Sequence, residues 1–262
     1  VTLLSDSEVI NVRGIPGSYV LSVQSSSGLS EIEVKAVIIA IGSPTFDAAR
    51  DARYRYSDCA DVLTSRDLET MMISNDIHVP STGKAPSSLA VIQCVGSRDA
   101  KHGAPYCSKV CCKYSLKLVK RIRKELPGIE VTFFYRDWRP SDRGYDKLAE
   151  YGREDGVHVV RSRPAEVIAD SRPLVRYATV EDEVREDPFD IVVLAVGLQP
   201  PPNSQKFAAS LGLQCNQYGF FIKKGEGAYA AGCCTGPKDI RESVEEGIAA
   251  AGKAAAFLEG LH

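Results

Sequence analysis

The sequence predicts an α/β protein with two domains, one of which interrupts the other. An apolar strand that ends in glycine and is soon followed by proline occurs twice, at 37–44 and at 190–200. A strand–helix–strand unit lies between the two copies. Strands that are apolar throughout are typical of parallel sheets covered on both faces. We therefore expect residues 1–86 and 198–262 to form one domain and residues 87–197 to form the other.

Apolar spacing and turn residues predict the individual elements. In the first 43 residues, Tyr19, Leu21 and Val23 alternate with small or polar residues, as they do in strands. Residues 74–88 are rich in serine, proline and glycine and predict a linker. The other predicted elements are strands at 89–95, 131–135 and 157–160, helices at 105–126, 142–155 and 237–258, and short strands within 163–186.

Two of the predicted helices carry an apolar stripe that should face a core. The stripe of the helix at 105–126 consists of Val110, Tyr114, Leu118, Ile122 and Leu126. The stripe of the last helix consists of Val244, Ile248, Ala251, Ala255 and Leu258.

Composition and charge exclude several classes of protein. Hydrophobic residues make up 44% and charged residues 25% of the 262-residue chain, which excludes a fibre or a disordered tail. Lys plus Arg number 32 and Asp plus Glu number 34, so no nucleic-acid partner is expected. The apolar runs are far shorter than the ~20 residues that a membrane-spanning helix needs. We expect a cytoplasmic protein without a signal peptide or a transmembrane segment.

Four of the eight cysteines form the strongest motif, which is Cys94, Cys107, Cys111 and Cys112 with the spacing C-x12-C-x3-C-C. Cys94 ends a predicted strand, and the other three lie in the first turns of the next helix, which starts beside that strand end in a parallel sheet. The start of a helix also lowers a thiol pKa. Four thiolates suit a [4Fe–4S] cluster. The alternatives are tetrahedral zinc, which usually uses C-x2–4-C pairs, and cysteines that are merely small buried side chains.

A dinucleotide site would normally occupy the same strand–helix junction. It requires G-x-G-x-x-G, so that the backbone can approach a pyrophosphate. Residues 94–99 contain a single glycine, Gly96. We therefore do not expect residues 87–197 to bind NAD.

A second candidate site is the glycine turn at 230–240, which leads into the last helix. Its residues of interest are Gly232, Cys233, Gly236, Lys238 and Asp239. Backbone N–H groups at a helix start favour an anionic group or the edge of a flavin, and Lys238 would add a positive charge. The alternative is an ordinary helix start with a solvated Lys238.

The helix at 105–126 is strongly basic. Its cations are Lys109, Lys113, Lys117, Lys120, Arg121, Arg123 and Lys124. A solvated face is the simpler interpretation, and a docking face for an acidic partner subunit is the alternative.

Three segments closely resemble the A-type subunit of heterodisulfide reductase and related flavoprotein subunits. They are Ile-Gln-Cys-Val-Gly-Ser-Arg-Asp at 92–99, Pro-Tyr-Cys-Ser-Lys-Val-Cys-Cys at 105–112, and 231–240, which contains Ala-Gly-Cys and Gly-Pro-Lys-Asp-Ile. The resemblance covers nearly the whole chain. It implies a thioredoxin-reductase-like arrangement, in which an FAD domain is interrupted by a Rossmann-like NAD-type domain.

The resemblance also implies cofactors and partners. The glycines that end the two repeated strands, Gly42 and Gly197, match the two junctions of the FAD-binding core. The four cysteines would hold a [4Fe–4S] cluster that exchanges electrons with FAD, and Cys233 takes a position near the flavin ribityl chain. Other subunits of a redox complex are the expected partners, and a homo-oligomer is possible. The FAD fingerprint G-x-G-x-x-G should precede Val1, so we expect the sequence to begin inside the FAD domain.

These features predict an FAD-dependent iron–sulfur oxidoreductase subunit. Two other functions stay open at this point. One is a non-catalytic interaction module with structural zinc, and the other is a pyridine nucleotide-disulfide oxidoreductase. The latter would use Cys111–Cys112 or Cys233–Cys234, although a disulfide between adjacent cysteines is strained.

Overall fold

Two compact units make up the protein, in a computed structural model that describes residues 1–139, 156–222 and 225–261. One unit comprises Val1–Pro44 and Gln199–His262, and the other comprises Thr45–Leu198. The sequence predicted residues 45–86 together with residues 1–44, but they belong to the second unit. The reason is that the strand at Val62–Thr64 pairs in parallel with the strand at Ile191–Val196. The helix predicted at 142–155 lies outside the described residues.

The elements are numbered in chain order. The strands are β1 (Ser7–Ile15), β2 (Ser18–Ser25), β3 (Gly28–Val34), β4 (Val37–Ile39), β5 (Val62–Thr64), β6 (Ser88–Val95), β7 (Glu130–Tyr135), β8 (Val157–Arg161), β9 (Glu166–Ile168), β10 (Leu174–Ala178), β11 (Val184–Pro188), β12 (Ile191–Val196), β13 (Gln214–Cys215), β14 (Phe221–Ile222) and β15 (Ala228–Ala230). The helices are α1 (Ser65–Ile73), α2 (Cys111–Glu125), α3 (Ser204–Ser210) and α4 (Ile240–Glu259), with 3-10 turns at Ala48–Arg50, Ala52–Tyr54, Ala100–His102 and Gly232–Thr235.

The second unit is built on a parallel sheet with the strand order β5-β12-β6-β7-β8. All six residues of β12 are buried, which confirms the apolar strand predicted there. One face of the sheet packs against α1 and α2, where Val91 and Val193 meet Val119 and Ile122. The other face packs against the antiparallel sheet β9-β10-β11. The sheet is therefore covered on both sides, as its composition requires.

The first unit contains the antiparallel sheet β1-β2-β3 and a parallel pair of strands, β4 and β15. The prediction of a fully buried strand at 37–41 was wrong. β4 ends at Ile39, and the side chains of Ile38 and Ile41 are 44% and 59% exposed. In the described residues β4 pairs with β15 alone, so its apolar side chains lack the cover that a wider sheet would provide.

Helix α2 begins at Cys111, six residues later than predicted. The loop before the helix is hydrogen-bonded to the residues that directly follow β6. Ser108 N–H donates to Ser97 Oγ at 2.9 Å, and Arg98 N–H donates to Tyr106 O at 2.8 Å. Lys109 also adopts a left-handed φ of 60°, which interrupts a helix. Of the predicted stripe, Ile122 alone is fully buried, and the other buried residues are Cys111, Cys112, Ser115 and Val119.

Helix α4 buries a different face from the one predicted. Val244 and Ile248 are 55% and 69% exposed, whereas Ala250 and Ala254 are buried beside Tyr229. Alanine lets the helix approach β15 closely, and the apolar periodicity alone could not distinguish these two faces. None of the helices in the described ranges has the length and hydropathy to cross a membrane.

Candidate metal centre

The four motif cysteines come from two consecutive elements of the second unit and the loop between them. Cys94 lies near the end of β6, Cys107 lies in the following loop, and Cys111 and Cys112 form the first turn of α2. The thiols of Cys94, Cys111 and Cys112 are buried, and that of Cys107 is partly exposed. The sequence predicted Cys107 in the first turns of the helix, but the helix begins only at Cys111 and Cys107 lies before it.

A β-bulge sets the position of Cys94. Strand β6 contains one residue more than β12 between the pairs Ile92↔Leu194 and Val95↔Val196. Cys94 takes up this difference with a left-handed φ of 62°, which is uncommon for any residue other than glycine. Bulges turn a side chain out of the regular alternation of a strand, so the backbone here is shaped to direct the Cys94 thiol.

Gly197 allows the loop after β6 to pack against the end of β12. A Cβ atom at Gly197 would lie 2.6 Å from both Ser108 Oγ and Ser97 Cβ, closer than packed atoms approach. Leu198 N–H donates to Ser108 Oγ at 2.8 Å and closes the same contact. Ser97 and Ser108 of this loop therefore fill the space beside Gly197. A dinucleotide site would need a glycine-rich loop at this junction.

Burial governs the protonation of these thiols. Burial first, and then the neighbouring Cys94 and Cys107, raise the pKa of Cys112 to about 11. The pKa values of Cys94 and Cys111 are raised by burial and by the other cysteines in the same way. The expectation that the helix start lowers the thiol pKa was therefore wrong, since desolvation outweighs the helix dipole. Each of these pKa values is also raised by the charge of other cysteines of the set, which indicates that the four thiols are neighbours.

Two buried polar side chains beside the cysteines lack hydrogen-bond partners in the described residues. They are Gln93, whose amide nitrogen and oxygen are both unpaired, and Ser115, whose hydroxyl is unpaired. Gln93 precedes Cys94 in β6, and Ser115 lies one turn after Cys111 and Cys112 in α2. Leaving such groups unpaired costs about 1–3 kcal/mol each. This is the pattern expected of a site that is completed by a bound polar group.

The distances between the cysteine sulfur atoms favour an iron–sulfur cluster over a single zinc ion. Tetrahedral zinc with Zn–S bonds of ~2.3 Å places its sulfurs about 3.8 Å apart. Within the described ranges, no three of the cysteine thiols lie within 4.8 Å of one another. A [4Fe–4S] cluster binds each cysteine through a different iron atom and so holds them farther apart.

One group of described residues does have its possible ligand atoms within 4.8 Å of one another. It consists of Asp51, Asp99 and His102. Arg53 donates to both oxygens of Asp51 at 2.8 and 2.6 Å, and Arg163 donates to Asp99 at 2.6 Å. Two arginines thus balance the two carboxylates, which leaves no negative charge for a cation. The group comes from separate segments, so no sequence motif predicted it.

The glycine turn of the first unit is held by a buried ion pair. Lys238 Nζ lies 3.0 Å from the Glu246 carboxylate, which also accepts from Gly232 N–H at 3.0 Å and from Thr235 Oγ1 at 2.9 Å. Lys238 is therefore neither solvated nor an unpaired cation, contrary to both expectations. The prediction of free N–H groups was also wrong for Gly232.

The other residues predicted at this turn have local structural roles. Asp239 caps α4, since its side chain accepts from Glu242 N–H at 2.9 Å. The Cys233 thiol is partly buried and donates to Lys238 O at 3.5 Å. Gly42 and Gly236 have positive φ values and open space where a Cβ atom would lie. A ligand could therefore approach the backbone at both glycines.

Comparison with known proteins relates the chain to one group of enzymes. The A-type iron-sulfur subunit 2 of the CoB–CoM heterodisulfide reductase of Methanopyrus kandleri is 36% identical, over 87% of this chain and 38% of that protein. The A-type subunit of the ferredoxin:CoB–CoM heterodisulfide reductase of Methanosarcina mazei is 37% identical, over 87% of this chain and 31% of that protein. The chain thus spans about a third of the length of these relatives. No family model matches it.

The fold also has counterparts among solved structures. Thioredoxin reductase of Lactococcus lactis superimposes with a TM-score of 0.63, covering 97% of this chain and 75% of that one, at 19% sequence identity. At this identity the likeness shows the fold alone. Over most of its length the chain is similar to a segment of the A-type heterodisulfide reductase subunits, and it has a fold of the thioredoxin reductase type.

Proposed function

We propose that this chain is part of an FAD-dependent iron–sulfur oxidoreductase subunit. In this proposal it relays electrons between FAD and a [4Fe–4S] cluster held by Cys94, Cys107, Cys111 and Cys112. The observation that carries the proposal is the set of four thiols at the β6–α2 junction that act on one another electrostatically, with unpaired polar atoms beside them.

The donor set fits such a cluster. Thiolates are the usual ligands of iron–sulfur clusters, and a bound cluster supplies one-electron transfer. The buried thiols have raised pKa values, so they lose their protons when the metal binds and not before. Gln93 and Ser115 offer an amide N–H and a hydroxyl that would donate to sulfur atoms of the site.

The flavin side of the proposal rests on the glycine turn and on Gly42, which lie in the first unit. We propose that Gly42, Gly232, Cys233, Gly236, Lys238 and Asp239 form part of the FAD site. Gly197 belongs to the second unit, where it packs against Ser97 and Ser108. Lys238 and Glu246 would act by holding the turn in place. Their charges cancel, so Lys238 supplies no net positive charge to a flavin.

The relatives' names describe them as subunits. We propose that this chain likewise acts with other subunits of a cytoplasmic redox complex related to heterodisulfide reductase. Pairing of two such chains is compatible with this arrangement.

Anaerobic reconstitution with iron and sulfide tests the cluster directly. We expect about four iron and four sulfide per chain, a brown colour and a visible absorption that bleaches on reduction. The same protein offered zinc and iron together serves as the competition control. A colourless protein that binds one zinc per chain and excludes iron would contradict the proposal and favour the zinc-binding interaction module.

A further inference from the structure

A groove lies between α1 and α2 on the second unit and has a volume of about 630 Å³. Its apolar lining includes Val110, Leu118 and Val196. Its basic lining comprises Arg66 from α1 and Lys117 and Arg121 from α2. The groove therefore combines an apolar floor with positive charge on both walls.

The lining of the groove carries three cations and one carboxylate, so positive charge exceeds negative charge there. Arg66 and Lys117 are exposed, and neither has an ion-pair partner in the part of the chain that the structure describes. Arg121 pairs with Glu125 at 2.8 Å. Glu69 is the acidic residue in the lining. The lining therefore favours a ligand that carries negative charge.

The groove is not built as a phosphate cradle. The capping box of α1 occupies one N–H group of its first turn, since Asp67 N–H donates to Thr64 Oγ1 at 3.2 Å, and Thr64 N–H in turn donates to Asp67 at 2.8 Å. Lys117 and Arg121 lie one helical turn apart, about 6 Å along the axis, and Arg66 lies on the opposite wall. Separated cations over an apolar floor suit an extended ligand with alternating acidic and apolar groups.

The groove reaches the cysteine site. Tyr114 lines it and donates its hydroxyl to Val196 O at 2.7 Å. The Cys111 thiol points to the same carbonyl, at 3.7 Å. The Val196 carbonyl therefore links Tyr114, which lines the groove, to the Cys111 thiol.

We infer that this groove docks an acidic segment of a partner polypeptide that also carries large apolar side chains. Its carboxylates pair with Arg66 and Lys117, and its apolar side chains pack on Val110 and Leu118. The inference does not depend on the proposed cluster, because none of these groove residues is a proposed ligand.

Fluorescence anisotropy tests the inference with the whole chain and a labelled peptide of repeated Glu-Glu-Leu-Leu units. We expect saturable binding that weakens with salt, and a Kd raised about tenfold or more in the double variant Arg66→Glu, Lys117→Glu. Lys124→Glu is the matched control, since this exposed cation of α2 does not line the groove. It should leave the Kd within about twofold of the wild type.

Three outcomes would overturn the inference. The first is that the Glu-Glu-Leu-Leu peptide does not bind, or that it binds the wild type and the variants with the same Kd. The second is equal binding of a Lys-Lys-Leu-Leu peptide. The third is binding of pyrophosphate or oligouridylate with the same loss in the double variant, which would assign the groove to small anions or to RNA. Iron content is measured separately, so failure here is distinguishable from failure of the cluster proposal.

Discussion

Lys238 and Glu246 form a buried ion pair, with Nζ and the carboxylate 3.0 Å apart. Glu246 is the more connected partner, because it also accepts hydrogen bonds from Gly232 N–H and Thr235 Oγ1. The pair therefore ties the glycine turn to the first half of α4. The residues proposed to approach the flavin owe their positions to a side chain that lies outside the turn.

Glu246→Ala should lower the free energy of unfolding by about 3–5 kcal/mol, because it leaves the Lys238 charge buried without a partner. Urea unfolding measures this change. Glu245→Ala is the control, since its exposed pair with Arg241 should contribute under about 1 kcal/mol. Equal effects of the two substitutions would mean that the buried pair does not hold the turn.

Gly197→Ala should lower the free energy of unfolding by about 1–3 kcal/mol, because its Cβ atom would overlap Ser108 Oγ and Ser97 Cβ. Gly247→Ala should do the opposite. Gly247 lies inside α4 with open space around it, so alanine there should stabilise by about 0.5–1 kcal/mol. Thermal and urea unfolding of the two variants would show the opposite signs, and a neutral Gly197→Ala would disprove the close packing.

Gln93→Leu separates the two states of the cysteine site. Without metal it removes an unpaired buried amide, so the free energy of unfolding should rise by about 1–3 kcal/mol. With the proposed cluster it removes a hydrogen-bond donor, and the reduction potential should fall. Urea unfolding of the metal-free protein and redox titration of the reconstituted protein measure the two effects. An unchanged potential would show that the amide does not reach the cluster.

Asp99 should make stability depend on pH in the acidic range. Burial acts to raise its pKa, but the hydrogen bond from Arg163 and the nearby His102 outweigh burial and hold the pKa at about 2, below its usual 3.8. A carboxylate with a lowered pKa stabilises the folded state above the usual value and loses this contribution as pH falls towards 2. We expect a loss of about 2 kcal/mol between about pH 5 and pH 2, measured by urea unfolding.

Asp99→Asn is the corresponding variant. It should be less stable than the wild type at neutral pH and should lose less stability on acidification. A wild-type profile that is flat over this range, or one shared by the variant, would contradict the assignment of this pH dependence to Asp99.

The sequence predicted the strands of the second unit well, because fully buried strands such as β12 are apolar throughout. The predicted start of α2 was wrong. The helix is delayed by the hydrogen bond from Ser108 N–H to Ser97 Oγ and by the left-handed backbone of Lys109, and a local sequence pattern contains neither. The sequence also predicted the wrong face of α4, where both Val244 and Ala250 lie on nonpolar stripes and packing selects the smaller residue.

The candidate sites were predicted unevenly for the same reason. The four cysteines are close in sequence, so their spacing predicted a common site. The partner of Lys238 is Glu246, eight residues later on the helix, and no local motif links the two. The unpaired state of Gln93 is a property of its burial, which the sequence does not specify.

The most direct test of the central claim is the iron and sulfide content of Cys111→Ser after anaerobic reconstitution. A serine hydroxyl stays protonated near neutral pH and binds iron poorly. We expect this variant to lose most of its cluster, or to hold it unstably, while its far-ultraviolet circular dichroism stays that of the wild type. Cys59→Ser and Cys215→Ser should keep full iron content. Full iron with an unaltered visible spectrum in Cys111→Ser would contradict the four-cysteine assignment and would redirect the search to Cys233 and Cys234.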